Sequence, residues 1–198
     1  MPNAYRIELP DPDATTRLAR LLSACLPPRL CIWLGGELGS GKTHLVRGVL
    51  RALGWQGAVR SPTYTLLETY ELMPTAAHAM PGLGVSGPPP GGPPQKLEAE
   101  SRLVLYHFDL YRMASPEEWG DAGFDDLPDP AVRLIEWPER GASLTPSADL
   151  KLVLAAHGQG RTATVTICSR AGEDTWHMLE SALRAQRDVL PLHWAPVS

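Results

Sequence analysis

The sequence predicts an α/β domain: a mainly parallel sheet with flanking helices and an antiparallel hairpin near the C-terminus. Three observations carry this expectation. A continuous apolar run of strand length occurs at 30–34, as a strand buried on both faces requires, and 103–110 and 132–137 are largely apolar segments of the same length. Helix-periodic segments lie between them. Late in the chain, 150–156 and 162–168 flank His157-Gly158-Gln159-Gly160, the pattern of a hairpin.

Each element follows from its residues. Asp11 or Asp13 can cap a first helix with Leu18, Leu21, Leu22 and Cys25 on one stripe. Pro27-Pro28 ends it. The run LCIWL at 30–34 is the first buried strand. In a second helix, 43–53, Leu45, Val46, Val49, Leu50 and Leu53 face inward and Arg47 and Arg51 outward; Gly54 stops it. Strands at 64–72 and 103–110 flank a segment in which 12 of the 21 residues 74–94 are Gly or Pro. Such composition offers little to bury, so 73–101 reads as a flexible surface insertion. Ser115-Pro116-Glu117-Glu118 has the cap, proline and acids of a helix start. A strand at 132–137, the hairpin and a closing helix at 176–190, with Arg184 and Arg187 near its end, complete the chain. The expectation is one domain over 1–198, with a helical extension at 174–198.

Composition excludes several classes. The net charge of −4 over 198 residues gives no sign of a broad basic face for nucleic acid. No apolar run approaches the roughly 20 residues of a membrane span. Residues 1–10 lack the basic-then-apolar pattern of a secretory signal, so a cytoplasmic location is expected. Cys25, Cys31 and Cys168 form no C-x-x-C pair. Asn3 is the one asparagine. An N-K-x-D guanine reader and the catalytic-loop Asn of a protein kinase are therefore both ruled out.

The strongest motif is Gly36-Glu37-Leu38-Gly39-Ser40-Gly41-Lys42-Thr43. It satisfies G-x-x-x-x-G-K-[ST], with an apolar strand before it and an amphipathic helix after it. That context predicts a P-loop NTPase-like fold. Glycines let successive N–H groups aim inward, and the helix N-terminus adds partial positive charge. Lys42 would reach the β- and γ-phosphates, and Thr43 would offer a hydroxyl to Mg²⁺. Turnover also needs an acid on a neighbouring strand. Asp109 and Glu136 each close an apolar run, which puts them on the phosphate-loop edge of parallel strands. Hydroxyls in Ser61-Pro62-Thr63-Tyr64-Thr65 can sense a γ-phosphate as a switch segment does.

Four segments occur in order: GELGSGKT at 36–43, SPTYTL at 61–66, YHFDLYR at 106–112 and IEWPERG at 135–141. Together they resemble the TsaE (YjeE) family, the ATPase component of the bacterial machinery that makes N6-threonylcarbamoyladenosine at position 37 of tRNAs. The resemblance implies ATP or ADP contacts from Gly39, Ser40, Gly41, Lys42, Thr43 and His44. It implies Mg²⁺ ligation by Thr43 and Glu136, and an acid essential for activity at Asp109. Thr63 and Thr65 match the switch-like loop, Asp11, Pro12 and Thr15 a segment beside the base, and Arg161 an arginine near the nucleotide. Trp137 matches the tryptophan after the metal acid. The implied partners are the threonylcarbamoyl transferase and its inactive paralogue, TsaD and TsaB. Hydrolysis would reset that complex, and tRNA would be reached through it. His44 stands where the family usually has a second hydroxyl, and 73–101 replaces a short hairpin turn. Two other readings of a phosphate loop are a small-molecule kinase and a non-catalytic adaptor gated by nucleotide.

Overall fold

Apolar alternation explains how the sheet is covered. On β2 (Leu30–Gly35), Leu30, Ile32 and Leu34 join one core cluster, while Cys31 and Trp33 belong to a second on the opposite face. The same split divides Leu105 from Tyr106 and Phe108 on β4 (Leu103–Asp109). It also divides Leu134 from Ile135 on β5 (Val132–Glu136). Side chains alternate faces along a strand, so both faces of the central sheet are dry. This computed structural model describes residues 3–73, 102–186 and 193–197.

The first core cluster is roofed by α1 (Pro12–Ala24), α2 (Lys42–Ala52) and α4 (Arg170–Ala185). The second lies under the short α3 (Glu118–Asp121) and the turn at Phe124, where Phe108, Trp119 and Phe124 pack ring against ring. Asp11 caps α1 by accepting a 2.6 Å hydrogen bond from Ala14 N.

The remaining strands are β1 (Ala4–Leu9), β3 (Leu67–Leu72), β6 (Leu150–His157), β7 (Gly160–Ile167) and β8 (Trp194–Pro196). The sheet order is β3-β4-β5-β2-β6-β7-β1-β8. The centre, β4-β5-β2-β6, is parallel. Both flanks are antiparallel: β3 on β4, and β6-β7-β1-β8 on the other side. The expected α/β fold and C-terminal hairpin are present, and the parallel character is concentrated where the glycine-rich loop sits.

Several boundaries differ from the expectation. β1 was not expected; it inserts between β7 and β8, so its partners lie more than 150 residues away in sequence. β3 begins at Leu67, because 62–66 form a turn closed by Leu66 N donating to Pro62 O at 2.6 Å. α4 begins at Arg170, capped by Ser169, whose hydroxyl accepts from Gly172 N. The chain after 174 is not all helix, since Trp194–Pro196 is a strand held on β1. Of the expected insertion, 74–101 lies outside the described residues, as do 187–192. No helix of the described residues is long and apolar enough to cross a membrane.

Candidate active site

The parallel centre of the sheet brings three strand ends to one edge. β2 ends in the glycine loop, and β4 and β5 end in Asp109 and Glu136, which are register partners. Gly36, Gly39 and Gly41 all have positive φ, at 124°, 78° and 106°. A Cβ on Gly36 would lie 2.2 Å from Leu154 O, so only glycine fits there. These conformations turn the loop back on itself, and α2 starts at Lys42 with its N-terminus facing the resulting cleft.

Lys42 is almost fully buried. Its ammonium donates to Gly36 O at 2.7 Å and Glu37 O at 3.1 Å, and lies 4.0 Å from the centre of the Trp137 ring. Burial pushes its pKa below the usual lysine value; Glu136, Asp109, Glu139 and Glu37 act in the opposite direction. The Thr43 hydroxyl donates to Glu136 Oε1 at 2.9 Å and lies 3.3 Å from Oε2. Thr63 donates to Asp109 Oδ2 at 2.7 Å, Ser61 also bonds that oxygen, and Tyr111 N donates to Oδ1 at 3.1 Å.

The non-glycine residues with positive φ among those described are Leu66 and Trp137. Both flank the cleft: Leu66 closes the 62–66 turn, and Trp137 follows Glu136. Such conformations cost on the order of 1–3 kcal/mol each and persist where the surroundings enforce them. Here they aim Thr63 at Asp109 and the Trp137 ring at Lys42.

The cleft has a volume of about 500 Å³ and is lined by Gly39, Gly41, Lys42, Thr43, His44, Thr63, Asp109 and Glu136 among the sequence candidates. Ser40 is in the loop with its hydroxyl buried and unpartnered. Arg161 lies against the loop from β7, where its guanidinium would meet a Cβ on Gly41. Asp11, Pro12 and Thr15 lie outside the lining. Asp11 is committed to capping α1, and Thr15 is buried with its hydroxyl unpartnered. They connect to the cleft through Thr16 Oγ1, 3.1 Å from His44 Nε2. Thr65 is exposed and does not line the cleft, because the tight 62–66 turn presents Thr63 inward and Thr65 outward. Sequence reasoning passed over His107, Tyr111 and Arg112. The first stands mid-strand in an apolar run, and the other two follow Asp109 with no spacing rule to single them out.

Thr43 and Glu136 fit a magnesium site. Mg²⁺ prefers hard oxygen ligands and keeps several waters, taking the rest from a substrate's phosphates. One hydroxyl and one carboxylate beside a phosphate-binding loop suit that habit. Among the described residues no group of three or more His, Cys, Asp or Glu forms a closed metal cage.

The family described as "Threonylcarbamoyl adenosine biosynthesis protein TsaE" matches residues 9–79 and 95–163. A Haemophilus influenzae protein named tRNA threonylcarbamoyladenosine biosynthesis protein TsaE is 32% identical over 146 residues, 73% of this chain and 75% of its own. The Rickettsia conorii protein of that name is 32% identical over 128 residues, 64% of this chain and 57% of its own. The one from Bacillus subtilis is 28% identical over 149 residues, 75% of each chain. The crystal structure of Bacillus subtilis YdiB superposes with a TM-score of 0.63 at 23% identity, covering 92% of this chain and 97% of that one. At that identity the likeness speaks for the fold.

Proposed function

Because the chain belongs to the TsaE family, we propose that it is the Mg²⁺-dependent ATPase of the machinery that installs N6-threonylcarbamoyladenosine on tRNA. It acts with the threonylcarbamoyl transferase and its inactive paralogue, and hydrolysis resets that complex. The observation that carries the site assignment is the 2.9 Å hydrogen bond from Thr43 to Glu136. It joins the hydroxyl that opens α2 to the acid that ends β5, which is what a shared cation needs.

Thr43 and Glu136 would hold the magnesium ion. When bound, the ion neutralises phosphate oxygens and eases cleavage of the terminal phosphoanhydride. The loop N–H groups and the α2 N-terminus bind the phosphate chain. Lys42, resting on two loop carbonyls, exchanges these neutral acceptors for charged phosphate oxygens, a stronger class of hydrogen bond. It then stabilises charge that develops on the transferring group. Asp109, steadied by Ser61 and Thr63, orients the water that attacks the γ-phosphorus in line with the departing ADP oxygen. Arg161 supports the loop from outside.

Phosphate release from Mg²⁺-ATP by the purified chain tests this, alone and with the transferase pair, beside Lys42→Ala. Slow release that rises with the pair and falls at least about a hundredfold in the variant is expected. Hydrolysis by Lys42→Ala at the wild-type rate would refute the site. No hydrolysis with the pair present would leave a nucleotide-gated adaptor.

A further inference from the structure

We infer that His107 is a positioning residue for magnesium, acting through Glu136. The side chain is fully buried on β4, two residues before Asp109 and on the same face. Its Nε2–H donates to Glu136 Oε1 at 2.9 Å. An ionised carboxylate only accepts, so Nε2 carries the hydrogen. Nδ1 has no partner among the described residues, and as a bare lone pair it is the less costly atom to leave so.

The consequence lies in how the Glu136 oxygens are shared. Oε1 receives both the Thr43 hydroxyl and His107, each at 2.9 Å, whereas among the described residues Oε2 has only the longer 3.3 Å approach of Thr43. His107 therefore fixes the carboxylate's rotation and leaves Oε2 with free lone pairs for a cation. The arrangement has no packing rationale. His107 pairs in register with Leu134 on β5 and with the exposed Glu68 on β3, and Leu105 and Val132 pair two residues earlier on the same face. A leucine would fill that place without burying a polar ring that is incompletely satisfied. Partners behind metal ligands characteristically set ligand orientation and affinity.

The inference rests on Glu136 being the magnesium acid, and the experiment separates the two. Binding of a fluorescent ADP analogue to the full chain is titrated with Mg²⁺, and repeated in EDTA, for wild type, Glu136→Gln, His107→Leu, His107→Gln and the Glu136→Gln/His107→Leu double variant. His107→Leu should raise the Mg²⁺ requirement roughly 10- to 100-fold and leave binding in EDTA unchanged. His107→Gln, whose amide N–H reaches about as far as Nε2, should recover most of it. In the Glu136→Gln background His107→Leu should add less than about twofold, since a residue that acts through another loses its effect when that partner is gone. If His107→Leu does not fold, His107→Asn serves in its place, with an amide too short to reach Glu136. A wild-type Mg²⁺ requirement in His107→Leu beside a raised one in Glu136→Gln overturns the inference alone. A wild-type requirement in Glu136→Gln overturns the metal assignment and the inference with it. Equal weakening with and without the metal, no recovery in His107→Gln, or full additivity also overturns it.

Discussion

Thr43→Val keeps the shape of the side chain and removes its hydroxyl. Thr43 is half-buried, and among the described residues its hydroxyl bonds to Glu136 alone, so stability should change by less than about 1 kcal/mol. Mg²⁺-dependent hydrolysis should fall by at least about tenfold, since a hydroxyl ligand is lost; thermal melting beside phosphate release checks both halves. Gly41→Ala should act differently. Its φ of 106° excludes a side chain, and the new methyl would strike the Arg161 guanidinium. Nucleotide binding should be lost in that variant, and adding Arg161→Ala should not restore it, because the backbone strain remains. Lys42 and Thr43 were legible in the sequence because their motif specifies both residue type and spacing. Asp109 and Glu136 were legible because an acid that closes an apolar run marks a strand end. His107 was not, since a lone histidine inside YHFD reads as core until the neighbouring strand is placed beside it. Thr65 misled because a hydroxyl pattern does not say which side of a turn faces in.

At the scale of elements, the junction of α1 and α2 governs the glycine loop. A Cβ on Gly48 would stand 2.6 Å from the Ala19 methyl, so the two helices touch almost backbone to backbone. Gly→Ala inside a helix ordinarily stabilises by about 1 kcal/mol. Gly48→Ala should instead destabilise, by roughly 1–3 kcal/mol for an overpacked contact, and should weaken nucleotide binding because α2 begins in the cleft. Chemical denaturation gives the first result and nucleotide titration the second. Asp11→Ala removes the α1 cap and should cost about 1 kcal/mol, read in the same denaturation. Element identity was legible wherever residues three or four apart repeat, as in α2, or where an apolar run is uninterrupted, as in β2. It failed where the determinant is distant. AYRIEL becomes strand β1 because β7 supplies its partners, and no local signal in 4–9 reports that. α4 opens with the polar stretch Arg170 to Asp174, which hides its first turn from an apolar count.

Over the whole molecule, the core protects two thiols and leaves one. Burial pushes Cys25 up to about 11 and Cys31 up to about 12, the latter also raised by Asp149, from an ordinary value of 9.0. Cys168 is exposed. A disulfide reagent near pH 8 should therefore titrate one thiol in the native protein and three after denaturation. The sign for stability follows. The unfolded thiols ionise first as pH rises, so the contribution of the buried thiols is complete below about pH 9 and lost by about pH 11–12. Denaturation midpoints should fall across that interval. The sheet order has a further consequence, in the timing of synthesis. The strands that frame the cleft, β2, β4 and β5, have all been made once residue 136 is joined, whereas β1 waits for β7 at 160–167 and β8 at 194–196. Until β7 is made, β1 lacks that partner, and Ile7 and Leu9 lack the cover they have in the folded protein. During that interval an unpaired strand is exposed to misassociation, and pairing with β7 and β8 ends it.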